Sequence, residues 1–136
     1  MKYPDGSPIN VGDLVWWNEG SCVGYVQVIA ESEAEYVGWG LDSPHVFLSN
    51  IHPFAPGSNI GVAYPEACLK DEGVAPLIGE DRIRLDRASH RATSLLAATF
   101  DYTHYSVATE VKDRQLVGWV FTFWKNDEAL QTISTR

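Results

Sequence analysis

The chain has 136 residues, of which 45% are apolar and 12% are aromatic, and its ten basic and eighteen acidic residues give a formal net charge of −8. This length and apolar content fit one globular domain and exclude a disordered or fibrous chain. Because so acidic a chain repels the phosphates of nucleic acids, we expect no nucleic-acid partner and a basic protein partner instead. A solvated acidic surface that keeps the protein in solution explains the charge equally well.

The sequence shows no targeting or membrane segment. Residues 1–6 lack the apolar stretch of a signal peptide, and no apolar run approaches the roughly 18 residues that a membrane span needs. Cys22 and Cys68 are the only cysteines and form no Cys-x-x-Cys pair. We therefore expect a cytoplasmic protein with reduced thiols and no membrane partner, present as a monomer or a homodimer.

A β hairpin is predicted near the beginning of the chain. Residues 13–17 and 22–30 are apolar runs, and Asn18-Glu19-Gly20-Ser21 between them has the composition of a turn. A Gly-Asp-x-Val strand that turns into a Gly-Tyr-Val-x-Val strand resembles the opening hairpin of small SH3-like barrels.

Shorter elements are predicted after this hairpin. Ser32, with Glu35 three residues later, fits a capping box and predicts a short helix that Gly40 ends. The other elements predicted for this part of the chain are a strand at 45–49, a loop at 50–59 and a short helix at 66–72 that begins after Pro65.

A long helix, at about 80–98, is the clearest element of the second half. Apolar and small residues recur there at spacings of three and four, which is the pattern of a helix with one buried face. The side chains predicted for that face are Leu85, Ala88, Ala92, Leu95, Leu96 and Thr99. The two alanines would let the helix lie close against a sheet.

The run 115–124 is the predicted centre of that sheet. Its alternating side chains are apolar on both faces, which is typical of a strand covered on two sides. A half-buried strand at 104–111 is predicted to precede it, and a short helix at 127–133 is predicted to follow it.

These elements predict an α+β fold: a twisted antiparallel sheet, with the helix 80–98 packed on one face and the N-terminal hairpin helping to cover the other. Residues 1–136 form one domain, with a possible subdivision near 71–79.

No motif for catalysis, cofactor binding or metal binding stands out. The four histidines are scattered, the glycines form no nucleotide-binding pattern, and no Gly-x-Ser-x-Gly elbow is present. We therefore expect no enzyme activity, no cofactor and no metal. One alternative stays open, a small ligand-binding or hydrolytic domain whose pocket combines His45 and His52 with Trp16 and Trp17.

The second half of the chain resembles small bacterial immunity proteins, which neutralise polymorphic toxins or toxins delivered by type VI secretion. The resemblance is carried by a helix with a small-residue face at 88–98, by the strand and hairpin after it, and by Gly118-Trp119-Val120-Phe121-Thr122-Phe123-Trp124. It implies a non-enzymatic inhibitor that binds a cognate toxin and occludes its active site. No functional residue carries over by motif.

The acidic and aromatic residues of the first half are the candidate contacts for a basic partner. Carboxylates would steer the encounter, and aromatic rings would anchor the complex. The candidate partner-binding residues are Glu19, Glu33, Glu35, Tyr36, Trp39 and Asp42. A second alternative is an SH3-like module that binds a peptide across Trp16, Trp17 and Tyr25.

Overall fold

The computed structural model describes residues 1–56, 60–96 and 101–135. In that part of the chain, nine strands and one long helix form an α+β domain. The strands are β1 (Leu14–Trp17), β2 (Cys22–Ala30), β3 (His45–Ser49), β4 (Ile51–His52), β5 (Val62–Pro65), β6 (Ala75–Pro76), β7 (His104–Lys112), β8 (Gln115–Lys125) and β9 (Glu128–Thr135). The helices are α1 (Glu33–Gly38) and the long α2 (Gly79–Leu95), and a single 3-10 turn spans Glu66–Cys68.

The sheet is open and its strand pairings are antiparallel, as predicted. Its main path runs β5–β3–β2–β7–β8–β9, while β1 pairs with β2 and β6, and β4 pairs with β7. β1 and β2 form the predicted hairpin. Asn18 and Glu19 in its turn have φ values of 54° and 57°, in the left-handed region that tight hairpin turns require.

Caps at both ends define α1, again as predicted. The Ser32 hydroxyl accepts a hydrogen bond from the Glu35 amide, and the Glu35 carboxylate accepts one from the Ser32 amide. Gly40 has a φ of 75°, and the Leu41 amide donates to the Tyr36 carbonyl, which closes a Schellman motif. Because no residue of α1 is buried, these caps rather than core packing hold the helix.

The first hydrophobic core lies between α2 and the second half of the sheet. The helix residues that it buries are Leu85, Ala88 and Ala92, joined by Leu96 at the helix C-cap, and the strand residues opposite them are Trp119, Phe121, Phe123 and Ile133. The prediction that Leu95 belongs to this face is wrong. Leu95 lies about 80° around the helix from Leu85 and is 64% exposed. The predicted end of the helix at 98 and the predicted burial of Thr99 fall outside the described residues.

A second core lies on the opposite face of the first half of the sheet. Leu14 and Trp16 of β1 contact the first core, whereas Val15 and Trp17 belong to the second. This second core is covered by residues of the N-terminal segment and of the chain after the 3-10 turn, namely Tyr3, Ile9, Leu69 and Val74. The N-terminal hairpin is therefore part of the sheet itself, and the prediction that it covers a face is wrong.

β8 is covered fully on one face only. Trp119, Phe121 and Phe123 are at most 1% exposed, whereas Val120 and Trp124 on the other face are half-buried. β8 also lies one strand from the edge, between β7 and β9. The prediction of a central strand covered on two sides is thus wrong for its second face, over which no helix packs in the described part of the chain.

The prediction of a helix at 127–133 is wrong, because this segment forms β9. Asn126 has a φ of 54° and starts a two-residue turn that pairs Lys125 with Glu128. Beyond the turn, the side chains of Ile133 and Thr135 alternate into the buried face. Strand alternation and pairing with β8 outweigh the capping preference of Asp127.

Two predictions for the middle of the chain are also wrong. The segment predicted as a loop at 50–59 contains β4, and its residues 57–59 lie outside the described part. The short helix predicted at 66–72 is reduced to one 3-10 turn, because Pro65 ends β5 instead of starting a helix. As β5 is an outer strand of the sheet path, a residue without an amide hydrogen is tolerated there.

Candidate functional site

The net negative charge is confined to the first half of the chain. Residues 1–79 contain two basic and ten acidic residues, and residues 80–136 contain eight of each. The net charge of −8 therefore belongs entirely to the part that holds the first strands and α1, and a basic partner would be attracted to that part.

Exposed acidic and apolar side chains of this half lie together on α1 and the turn that follows it. Val37 is 57% exposed, Trp39 is 49% exposed, and the carboxylates of Glu33, Glu35 and Asp42 face solvent. We define the α1 surface as these five residues together with the half-buried Tyr36. Five of the six predicted partner-binding residues thus belong to one short segment of the structure.

Local contacts fix two members of the α1 surface. The Trp39 ring packs on Phe47 of β3, with ring centroids 4.6 Å apart and planes inclined by 39°. The hydrogen bonds from the Ser32 hydroxyl and amide favour the charged form of the Glu35 carboxyl and lower its pKa below the ordinary value. An oriented ring beside a fixed charge is a pre-organised contact, and its binding costs little conformational entropy.

Glu66 extends the acidic character of this end of the sheet. Its amide donates to the Pro44 carbonyl at 3.1 Å, which places Glu66 beside the turn that contains Asp42. A shallow groove of about 390 Å³ runs between the two segments, and the residues that line it are Ser43, Pro44, Pro65, Glu66 and Ala67. Sequence reasoning missed this neighbour, because only the pairing of β3 with β5 brings the two segments together.

Glu19 does not belong to the α1 surface. It lies in the turn before β2, whereas α1 follows β2, and the nine residues of that strand span roughly 27 Å. The part of Glu19 in a partner contact stays a prediction, at a position separate from Glu33 and Glu35. Glu19 instead borders a separate groove of about 390 Å³ with Trp16, Val111, Arg114 and Leu116.

His45 and His52 are not brought together. His45 pairs with Ala30 and its Nδ1 lies 2.7 Å from the Ser43 carbonyl, whereas the Nε2 of His52 lies 3.3 Å from the Val23 carbonyl. Val23 and Ala30 are separated by roughly 23 Å along β2. The pocket proposed for the hydrolytic alternative is therefore not formed.

His52 is instead part of a small cavity between α2 and the sheet. Its ring stacks on Tyr105 at 5.1 Å, and the Tyr105 hydroxyl lies 3.1 Å from the Ser89 hydroxyl. The cavity has a volume of about 40 Å³, room for a few water molecules but not for an organic substrate. Burial lowers the pKa of His52 to about 4, so this imidazole is neutral at pH 7.

The described residues include no group of three or more His, Cys, Asp or Glu side chains placed to hold a metal ion. Within the same ranges, no helix is both long enough and apolar enough to cross a membrane. Compared with protein-family models, with curated proteins and with solved structures, the chain gives no significant match. The proposal of a function therefore depends on the geometry and charge of the molecule itself.

Proposed function

We propose that this protein is an immunity-type inhibitor that binds a basic protein toxin through the α1 surface. The observation that supports this most is that α1 buries no residue, yet carries exposed carboxylates and leads directly to the half-exposed Trp39. A helix that adds nothing to the core is well suited to contact another molecule. It also lies in the half of the chain that holds all of the net negative charge.

The proposed mechanism has two parts. The carboxylates of Glu33, Glu35 and Asp42 steer a basic toxin to this end of the domain and raise the association rate. Trp39 then anchors the complex, because a large ring already packed on Phe47 loses little freedom when it is covered. Once docked, the domain occludes the toxin's active site and needs no chemistry of its own.

The two alternative functions, an SH3-like peptide-binding module and a hydrolytic domain, have less support. The resemblance of the first hairpin to SH3-like barrels stays a prediction, but Trp17 is 5% exposed and lies on the opposite face of β1 from Trp16. A peptide groove that combines Trp16, Trp17 and Tyr25 would need them on one side. A hydrolytic site would need a larger cavity than the one beside His52.

Co-purification with the toxin encoded beside its gene tests the proposal. We expect a stable one-to-one complex and complete loss of the toxin's activity when the protein is added in equal amount. A Trp39→Ala variant should fold normally and lose most of this inhibition, whereas a Trp124→Ala variant should keep it. Absence of a complex, or equal inhibition by both variants, would refute the proposal.

A further inference from the structure

The outer edge of β9 is open in the described part of the chain. β9 pairs with β8 along one side, and no other described strand pairs with it. Its register with β8 shifts between Phe123 and Trp124, which leaves Leu130 as the extra residue of a bulge. Beyond the bulge, the pairing is regular over the five residues 131–135. An open, regular edge of this kind can accept a further strand.

This regular stretch lacks the features that normally protect an edge strand. Its sequence is Gln131-Thr132-Ile133-Ser134-Thr135, with no charge and no proline. Natural proteins usually place lysine, proline or a bulge along such an edge to prevent pairing. Here the bulge at Leu130 precedes the stretch and leaves it accessible.

An exposed apolar residue lies on the same side of the molecule. Ser89 contacts Tyr105 of β7, and the flank of α2 that carries Ser89 therefore lies over β7. At 100° per residue, Leu95 projects from the opposite flank, which is the side of β9. Leu95 is 64% exposed, although its neighbour Leu96 is buried in the core. A molecule that paired with this open edge would also lie beside the uncovered leucine.

We propose that β9 pairs antiparallel with β9 of a second copy of this chain, about a twofold axis at Ile133. In that register Thr132 lies opposite Ser134 of the second copy, and Gln131 lies opposite its Thr135. All five pairs are uncharged, so like charges do not meet across the axis. The two sheets join into one, and Leu95 of each copy lies beside the new interface.

The charge distribution favours self-association through the second half of the chain over the first half. Residues 80–136, which include α2 and β9, carry no net charge, whereas residues 1–79 carry −8. Copies that meet through β9 keep their acidic halves apart and avoid their mutual repulsion. The α1 surface stays exposed in such a dimer, three strands away from β9 along the sheet path.

Sedimentation velocity of the whole protein, from low to high micromolar concentration, tests the proposal. We expect a reversible dimer, and a Thr132→Lys variant should raise its dissociation constant at least tenfold because each copy then brings a lysine to the axis. The matched control is Ala108→Lys, which places the same charge on the exposed face of β7, two strands from the edge, and should leave the dimer unchanged. A Glu33→Lys variant should also leave it unchanged, which separates this inference from the proposed function.

Hydrogen exchange on the unaltered protein tests for the dimer independently if Thr132→Lys fails to fold. Those amides of 131–135 that point away from β8 should exchange more slowly at high than at low protein concentration. A monomer at every concentration, exchange that does not depend on concentration, or equal weakening by Thr132→Lys and Ala108→Lys would each overturn the proposal. The edge would then be free for an extended strand of a different protein.

Discussion

A β-carbon at position 24 would lie 1.9 Å from the carbonyl oxygen of Ser49, so only glycine fits where these two residues meet. Gly24 is the third residue of β2, and Ser49 is the last residue of β3. The chain passes over Gly24 on its way into β4 and so brings His52 to the Val23 carbonyl. Because β4 pairs with β7, this crossing places the segment after β3 against β7.

Replacing this glycine should be among the most damaging single changes in the protein. We expect Gly24→Ala to lower the free energy of unfolding by about 3 kcal/mol or more, because backbone atoms on both sides must move to admit a methyl group. Gly38 is the matched control: no atom lies within 4 Å of a β-carbon there, and it is a helical residue. Gly38→Ala should be neutral or stabilising by up to about 1 kcal/mol in the same urea titration. Equal effects of the two variants would contradict the close approach.

The buried His52 should make the stability of the fold depend on pH. Its pKa is 6.5 in the unfolded chain and about 4 in the fold, so the unfolded chain takes up the proton first as the pH falls. The stability that the neutral His52 gives the fold is therefore fully present above pH 6.5 and is lost as the pH falls to 4. The difference in pKa corresponds to about 3 kcal/mol.

Denaturant titrations across this pH range measure that loss directly. His52→Gln should be less stable than the unaltered protein at pH 7 and should lack the part of the pH dependence that lies between 6.5 and 4. His90→Gln on the exposed face of α2 should behave like the unaltered protein. If His52→Gln retained the full pH dependence, the histidine would have to be accessible to protons in the fold.

The buried face of β8 should contribute far more to stability than its other face. Trp119 is 1% exposed, and we expect Trp119→Ala to cost about 3–5 kcal/mol in the free energy of unfolding. Trp124 is half-buried and its ring lies parallel to that of His104 at 6.2 Å, so Trp124→Ala should cost less than about 2 kcal/mol. Similar losses for both variants would mean that both faces of β8 are covered.

The elements that the sequence predicted correctly are those with a strong local cause. Ser32 and Glu35 form a capping box from adjacent residues alone, and the spacing of Leu85, Ala88 and Ala92 needs only the period of a helix. The prediction for the β9 segment was wrong because its apolar residues, taken alone, fit either a helix or a strand. Only pairing with β8 distinguishes the two, and that contact is not visible in a short stretch of sequence.

The candidate site, too, was predicted correctly only where its residues are close together in the sequence. The residues from Glu33 to Asp42 are close together in the sequence and remain together in the structure. The position of Glu19 far from this segment and that of Glu66 beside it were not predicted, because they depend on the length of β2 and on the pairing of β3 with β5. Neither relationship can be read from the residues themselves.

The rate of association with the cognate toxin, measured over a range of salt concentrations, tests the proposed function most directly. The informative variant combines Glu33→Lys with Glu35→Gln, because glutamine keeps the capping box that holds α1. The control combines Asp127→Lys with Glu128→Gln and makes the same change in net charge at the hairpin between β8 and β9. We predict that the first variant associates about tenfold more slowly and with a weaker dependence on salt, while the control associates nearly as fast as the unaltered protein. Equal slowing by the two variants, or no slowing by either, would contradict a toxin contact at the α1 surface.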